Sequence, residues 1–141
     1  MQNDYRIYHL RQKSHWGPIF WDFLYLMSFG LPVSLTSQQE KEVGHLLETF
    51  YLFLPCQECR YHYKQEVSSL SMKFKSKDEV FSMILFLHNQ VRKRQKKNTF
   101  TKENIIAYHF NKVTNTHTFP SIVIFISVVF LYALKQRKKL F

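Results

Sequence analysis

Large apolar residues crowd the stretch from His15 to Phe29, and a helical period fits them. Phe20, Leu24 and Met27 fall on one face of that helix, and Trp21, Tyr25 and Ser28 on another. Pro18 suits an opening turn, where its missing N–H costs nothing. Gly30 and Pro32 supply a stop. Two readings fit the aromatic density: a core helix apolar nearly all round, or a Trp21/Tyr25 edge that lines a flat ring. Ser37-Gln38-Gln39-Glu40 has the form of a capping box and predicts a second helix to about Phe53, with Val43, Leu46, Leu47 and Phe50 as its stripe. A third helix is expected from Pro55-Cys56, fading near Val67. Ser76-Lys77-Asp78-Glu79 repeats the capping signal before Val80, Met83, Ile84, Leu87 and Val91, the stripe of a fourth helix. That helix runs into the basic series Arg92-Lys93-Arg94-Gln95-Lys96-Lys97. Thr101 is placed to cap a short fifth helix, Lys102 to about Phe110. β-branched alternation is scarce, so the expected class is all-α: a four-helix bundle with a short fifth helix.

The periodicity stops after residue 112. Residues 113–118 read as a polar linker, and 119–134 are uncharged and largely apolar, with only Ser121 and Ser127 as interruptions. Lys135-Gln136-Arg137-Lys138-Lys139 follow within the basic terminus 135–141. A helix over 119–134 would be about 24 Å long at ~1.5 Å per residue, against a hydrocarbon core of about 30 Å. Snorkelling by Lys135 covers part of the difference, so this segment is expected to be a C-terminal transmembrane helix. Residues 1–14 read as a polar extension without a secretory signal, leaving 15–112 as the domain. A domain without such a signal, tethered by its C-terminus, is expected to face the cytoplasm.

With 141 residues the chain is one domain plus an appendage. A hydrophobic content of 45% supplies a core, and 14 Phe, 8 Tyr and 2 Trp can build it or form a slot for a ring system. The net charge of +10 suits nucleic acid, a membrane surface or an acidic ligand. No glycine-rich phosphate loop is present, which argues against a Rossmann site.

The two cysteines stand two residues apart in Leu54-Pro55-Cys56-Gln57-Glu58-Cys59-Arg60. At a helix N-terminus, backbone N–H groups and the dipole favour the thiolate, the form that attacks disulfides. This points to a redox pair that opens and closes. A C-x-x-C is also half of a zinc site, completed by histidines such as His62 with His88 or His109, and it can be inert. Arg60 in place of His after the second Cys excludes covalent haem attachment.

Three motifs in order resemble the Erv/ALR flavin-linked sulfhydryl oxidases over roughly residues 15 to 110. Gly17, Trp21 and Leu24, then Pro32, follow that family's first pattern, with Tyr25 where the family has His. Leu54-Pro55-Cys56-Gln57-Glu58-Cys59 follows its aromatic-P-C-x-x-C, with Leu54 for the aromatic. His88-Asn89-Gln90-Val91-Arg92, then Lys97 and Phe100, follows its H-N-x-V-N and the basic and aromatic residues beyond, with Arg92 for the second Asn. Met83 and Phe86 replace a Trp and a His that usually precede the motif His, and Pro18 replaces an Arg after the Gly. The family's structural disulfide and separate shuttle pair have no counterpart in a chain with two cysteines.

The resemblance implies a helical bundle holding FAD without a covalent bond, its ring system close to the C-x-x-C. It implies that Cys56 exchanges with a substrate dithiol, that Cys59 faces the flavin, and that dioxygen takes the electrons to give hydrogen peroxide. Gly17, Trp21, Tyr25, His88, Asn89, Val91, Arg92, Lys97 and Tyr108 are the implied cofactor-binding residues. Implied partners are a dithiol protein, such as a small thioredoxin-like or C-x-x-C relay protein, dioxygen, and a second copy of the chain. Single-pair forms of this kind resemble those of large cytoplasmic DNA viruses. Two other classes remain: a membrane-tethered zinc-binding interaction module, and a nucleic-acid binder using Arg92 to Lys97. The resemblance favours the oxidase, with no metal and no nucleic acid.

Overall fold

The computed structural model describes residues 12–112 and Thr114. They fall in two compact units, one ending at Thr99 and one starting at Phe100. The first unit holds four α-helices: α1 (Lys13–Gly30), α2 (Ser37–Thr49), α3 (Gln57–Ser68) and α4 (Lys77–Arg94). A 3-10 turn, Phe50–Phe53, joins α2 to α3. In the second unit, residues 102–112 form α5. The described residues are thus mostly helical and contain no strand beyond one isolated bridge, Ser34 to Ser76. The segment 119–134, expected to cross a membrane, lies outside the described residues, as do 1–11. Among the described residues, no helix is long and apolar enough to cross a membrane.

Capping sets the helix starts. α2 opens on a box one residue earlier than the sequence suggests: Thr36 is the N-cap, and Gln39 answers it reciprocally. Ser37 is already helical, because Thr-x-x-Gln fits the box as well as Ser-x-x-Glu does. α2 also ends at Thr49, with the expected last turn tightened into the 3-10 helix. Ser76 caps α4 through the Glu79 N–H, while the Glu79 carboxylate accepts from the Lys75 N–H. Thr101 and Asn104 exchange the same kind of bonds at the start of α5. α1 corrects the Pro18 expectation. It begins at Lys13, five residues before the proline. The missing N–H leaves the Ser14 carbonyl to water, which is affordable because Ser14 and Pro18 are both exposed.

α4 ends in a Schellman motif: the Lys97 N–H reaches the Arg92 carbonyl and the Lys96 N–H the Lys93 carbonyl. Lys96 takes the left-handed position at φ 55° that glycine usually fills. Lys96→Gly is therefore expected to stabilise the unit by about 0.5–1 kcal/mol, read as a higher urea midpoint.

The core lies between α1 and α4 and between α2 and α3. Leu24, Leu47, Val80, Ile84 and Leu87 are almost fully buried, each side chain contributing about 1.5–3 kcal/mol relative to an exposed position. Phe50 joins the two pairs. It meets Phe20 and Phe23 of α1 and Tyr63 of α3, and the Tyr63 hydroxyl donates to the Leu47 carbonyl at 3.0 Å. α1 is not apolar and buried all round: Ile19, Phe23 and Leu26 are more than half exposed.

Gly44 lets α2 approach the 70s segment closely. A Cβ there would meet the Met72 carbonyl oxygen at 2.5 Å. Gly44→Ala is expected to destabilise the unit by about 1–3 kcal/mol, although Ala is the better helix former, because backbone must move to admit it. A urea melt monitored by circular dichroism checks the sign.

Candidate functional site

Cys56 is the N-cap of α3 and Cys59 sits in its first turn. Pro55 therefore stands outside the helix, not in its opening turn. The two sulfurs are joined in a disulfide, with the Cα atoms 5.1 Å apart. The Cys59 N–H points at the Cys56 sulfur at 3.2 Å. That donor, together with the positive end of the α3 dipole, stabilises charge on Cys56 Sγ whenever the bond opens. While joined, the sulfurs offer no thiolate to a metal. Among the described residues, no group of three His, Cys, Asp or Glu is arranged to hold one.

A cavity of about 330 Å³ lies beside this turn and reaches from α1 to α3 and α4. Cys59 lines it; Cys56 does not. Its apolar wall is Trp16, Phe20, Trp21 and Leu24 from α1, with Phe50, Leu54 and Tyr63. Gly17 and Val91 complete the wall, and Lys13, Glu58, His62, Arg94 and Gln95 make its polar side. Lys13 pairs with Glu58 at 2.7 Å, and the Lys13 ammonium lowers the Glu58 carboxyl pKa. Arg94 pairs with Glu66. The site thus joins a flat aromatic wall, a sulfur and balanced charge within one unit.

Trp21 has a second layer behind it. The His88 ring stacks on Trp21, centroids 4.3 Å apart and planes 8° from parallel. Tyr25 and His88 are hydrogen-bonded, Tyr25 Oη to His88 Nδ1 at 3.1 Å. Tyr25 is almost fully buried, and burial raises its pKa well above the ordinary tyrosine value. It remains a neutral phenol, hydrogen-bonded to His88 Nδ1. Burial, aided by the Arg92 charge, lowers the His88 pKa to about 4 against a pull upward from Asp22. The ring is neutral at pH 7.

Of the residues marked in the sequence, Gly17, Trp21, Cys59 and Val91 line the cavity. Tyr25 and His88 form the layer behind Trp21. Asn89, Arg92 and Lys97 are on or just past the second half of α4 and are not lining residues. The Arg92 guanidinium donates to the Asn98 carbonyl, and Lys97 closes the helix end with its backbone N–H. Tyr108 belongs to the second unit and is half exposed. Sequence reasoning missed Trp16, Phe20, Phe50, Leu54, Tyr63 and Arg94 as wall residues. Trp16 and Phe20 carried a usable signal, since they lie one helical turn from Phe20 and Leu24 on α1.

Residues 18–115 match the Erv1/Alr family. The chain belongs to the Erv1/Alr family. It is similar to the FAD-linked sulfhydryl oxidase ERV1 of Arabidopsis thaliana, 30% identical over 95 residues that make up 67% of this chain and 50% of that relative. The chain therefore spans about half the length of that curated relative. Its fold is similar to the yeast Erv1 core, with a TM-score of 0.60 at 24% identity over 63% of this chain and 75% of that one. The FAD binding domain of Erv1 from Saccharomyces cerevisiae gives 0.57 at 25% identity, over 60% and 81%. In this Erv1/Alr chain the match runs from within α1 through α5 and ends before 119.

Proposed function

We propose that this Erv1/Alr chain is an FAD-dependent sulfhydryl oxidase that makes disulfides in partner proteins and passes the electrons to dioxygen, giving hydrogen peroxide. The observation that carries this reading is the two-sided disulfide, with Cys59 on an aromatic cavity and Cys56 outside it. The cavity fits a planar ring: its volume is in the ~300–1,000 Å³ range of small-molecule sites and its wall is largely aromatic. Gly17, Trp21 and Val91 would hold the ring system, with Tyr25 and His88 fixing Trp21 from behind. Asn89, Arg92 and Lys97 are the proposed contacts for the rest of the dinucleotide, near the basic end of α4. When bound, FAD supplies a two-electron acceptor that dioxygen can reoxidise.

The protein's own part is thiol–disulfide exchange. A substrate thiolate bonds to Cys56 Sγ, and the Cys56–Cys59 bond breaks with Cys59 leaving as thiolate. The second substrate thiol then attacks the mixed disulfide and releases Cys56, whose charge the α3 N-terminus stabilises. Substrate is oxidised by two electrons and the cysteine pair is reduced. A purified protein that is yellow and consumes oxygen when given a dithiol is the expected result. A colourless protein carrying stoichiometric zinc would favour the interaction module instead.

The electron donor we infer is a small dithiol protein of the thioredoxin-like or C-x-x-C type, because Cys56 lies outside the cavity, where a thiolate on another polypeptide can meet it. A homodimer is also proposed. Ile19, Phe23 and Leu26 recur at helical spacing on the exposed side of α1, an apolar stripe that pairing would cover.

Residues 119–134 are proposed as a membrane anchor with the domain on the cytoplasmic side. Support comes from their uncharged composition and the basic residues after them. Deleting everything after Thr118 is expected to move the protein from the membrane pellet to the soluble fraction with flavin and activity kept. Full-length protein found only in the soluble fraction would end the anchor proposal. A domain shielded from protease in cytoplasmic-side-out membranes would end the orientation.

A further inference from the structure

The outer side of the disulfide is built differently from the inner one. Glu58, Cys59 and His62 of α3 line the cavity, whereas Gln57, Arg60, Tyr61 and Lys64 are exposed. On the adjoining 3-10 turn, Leu52 and Phe53 are 58% and 65% exposed, and Tyr61 is 62% exposed. Large apolar side chains so open on neighbouring elements invite a partner. Lys64 lies over the Tyr51 ring at 5.5 Å, which fixes its ammonium next to that turn. The two carboxylates of α3, Glu58 and Glu66, are both engaged, by Lys13 and Arg94. Glu58 is exposed but balanced by Lys13, so the net charge that α3 presents on this flank comes from the exposed Arg60 and Lys64.

We infer that Leu52, Phe53 and Tyr61, with Arg60 and Lys64, form a docking surface beside Cys56 for a reduced polypeptide segment whose cysteine stands next to an apolar and an acidic residue. This rests on the oxidase reading above and deepens it by naming the substrate class. The occupant follows from the chemistry of Cys56. Whatever opens the disulfide from outside the cavity must bring a thiolate to Cys56 Sγ, so its flanking residues meet this patch. An apolar residue beside the incoming cysteine covers Phe53 and Leu52, and an acidic one answers Arg60 and Lys64, which also speeds encounter. The exchange is balanced: the segment's two thiols become a disulfide, and the Cys56–Cys59 disulfide becomes two thiols.

The test uses the flavin-loaded full-length protein under argon in a single turnover. Disulfide opening is read by alkylation and mass. Three reduced peptides share one Cys-x-x-Cys core and differ in flanks: Leu with Asp, Leu with Lys, and Ser with Asp. Dithiothreitol is the flank-free probe. The Leu–Asp peptide is expected to react roughly ten-fold faster than either other at equal concentration, equivalent to about 1.4 kcal/mol. Phe53→Ser should erase the preference for Leu over Ser, and Lys64→Glu should reverse the preference for Asp over Lys. Both should leave the dithiothreitol rate within about two-fold of wild type. Equal rates for the three peptides, or variants that slow dithiothreitol and peptides alike, would overturn the docking surface while leaving the oxidase intact. A wild-type protein whose disulfide dithiothreitol opens without later oxygen uptake in air would overturn the oxidase reading, and the docking proposal with it.

Discussion

Cys59→Ser is expected to reduce dithiol-driven oxygen consumption by on the order of a thousand-fold or more, while flavin stays bound. The size of the effect follows from the chemistry: neither cysteine alone can form the disulfide that accepts two electrons from substrate and holds them as a dithiol until the acceptor takes them. Cys59 is one wall residue among many, and Ser is close to it in size, so the cavity should survive. Cys56→Ser should lose as much activity for the same reason. It should also fold well, because position 56 is the N-cap of α3 and serine is among the favoured N-cap residues. The lost bond spans three residues, and so short a loop adds little to stability. An oxygen electrode trace, with an absorbance spectrum and a thermal melt of each variant, separates lost chemistry from lost structure. Wild-type rates in either variant would end the two-cysteine mechanism.

The helices were legible because each carries its own apolar stripe and most carry a side-chain cap. Val80, Ile84 and Leu87 are buried as their spacing implies, and Ser76 caps α4. Errors arose where local rules have more than one solution. Thr36 and Ser37 are both competent caps, and only the backbone decides between them. Pro18 is permitted inside α1 because water can reach the carbonyl it leaves unpaired. The cavity was less legible, since its wall combines positions from Lys13 to Gln95. Phe50 illustrates this: its sequence neighbours place it on the stripe of α2, yet its ring contacts are to α1 and α3. The tyrosine at position 25 reads locally as one more aromatic. Its hydrogen bond to a histidine 63 residues away is what gives it a task. The cysteine pair was the opposite case, because chemistry and local capping geometry lie within four residues.

Acid is expected to weaken the fold through His88, and the direction can be worked out from its surroundings. Burial lowers its pKa from 6.5 to about 4, with Arg92 acting the same way and Asp22 opposing. The stack on Trp21 and the hydrogen bond with Tyr25 keep the ring part-buried. Between pH 6.5 and about 4 the unfolded chain holds a proton on His88 that the folded chain does not. The unfolded state binds more protons in that window, so stability is full above pH 6.5 and falls as the pH drops. The ceiling on the loss is about 3 kcal/mol, reached only below the folded pKa. Glu58 adds a loss only at more acid pH, because Lys13 holds its carboxyl pKa below the ordinary value and the pair fails as pH falls through it. A variant that cannot titrate at position 88 removes one contribution and keeps the others. Urea midpoints of wild type and His88→Gln should therefore converge as the pH falls from 7 to 4. His88→Gln starts lower, having lost the ring stack, and declines less steeply. Curves that stay parallel across the window would show that the folded protein protonates His88 as readily as the unfolded chain, and that the Trp21–His88–Tyr25 layer is open to water.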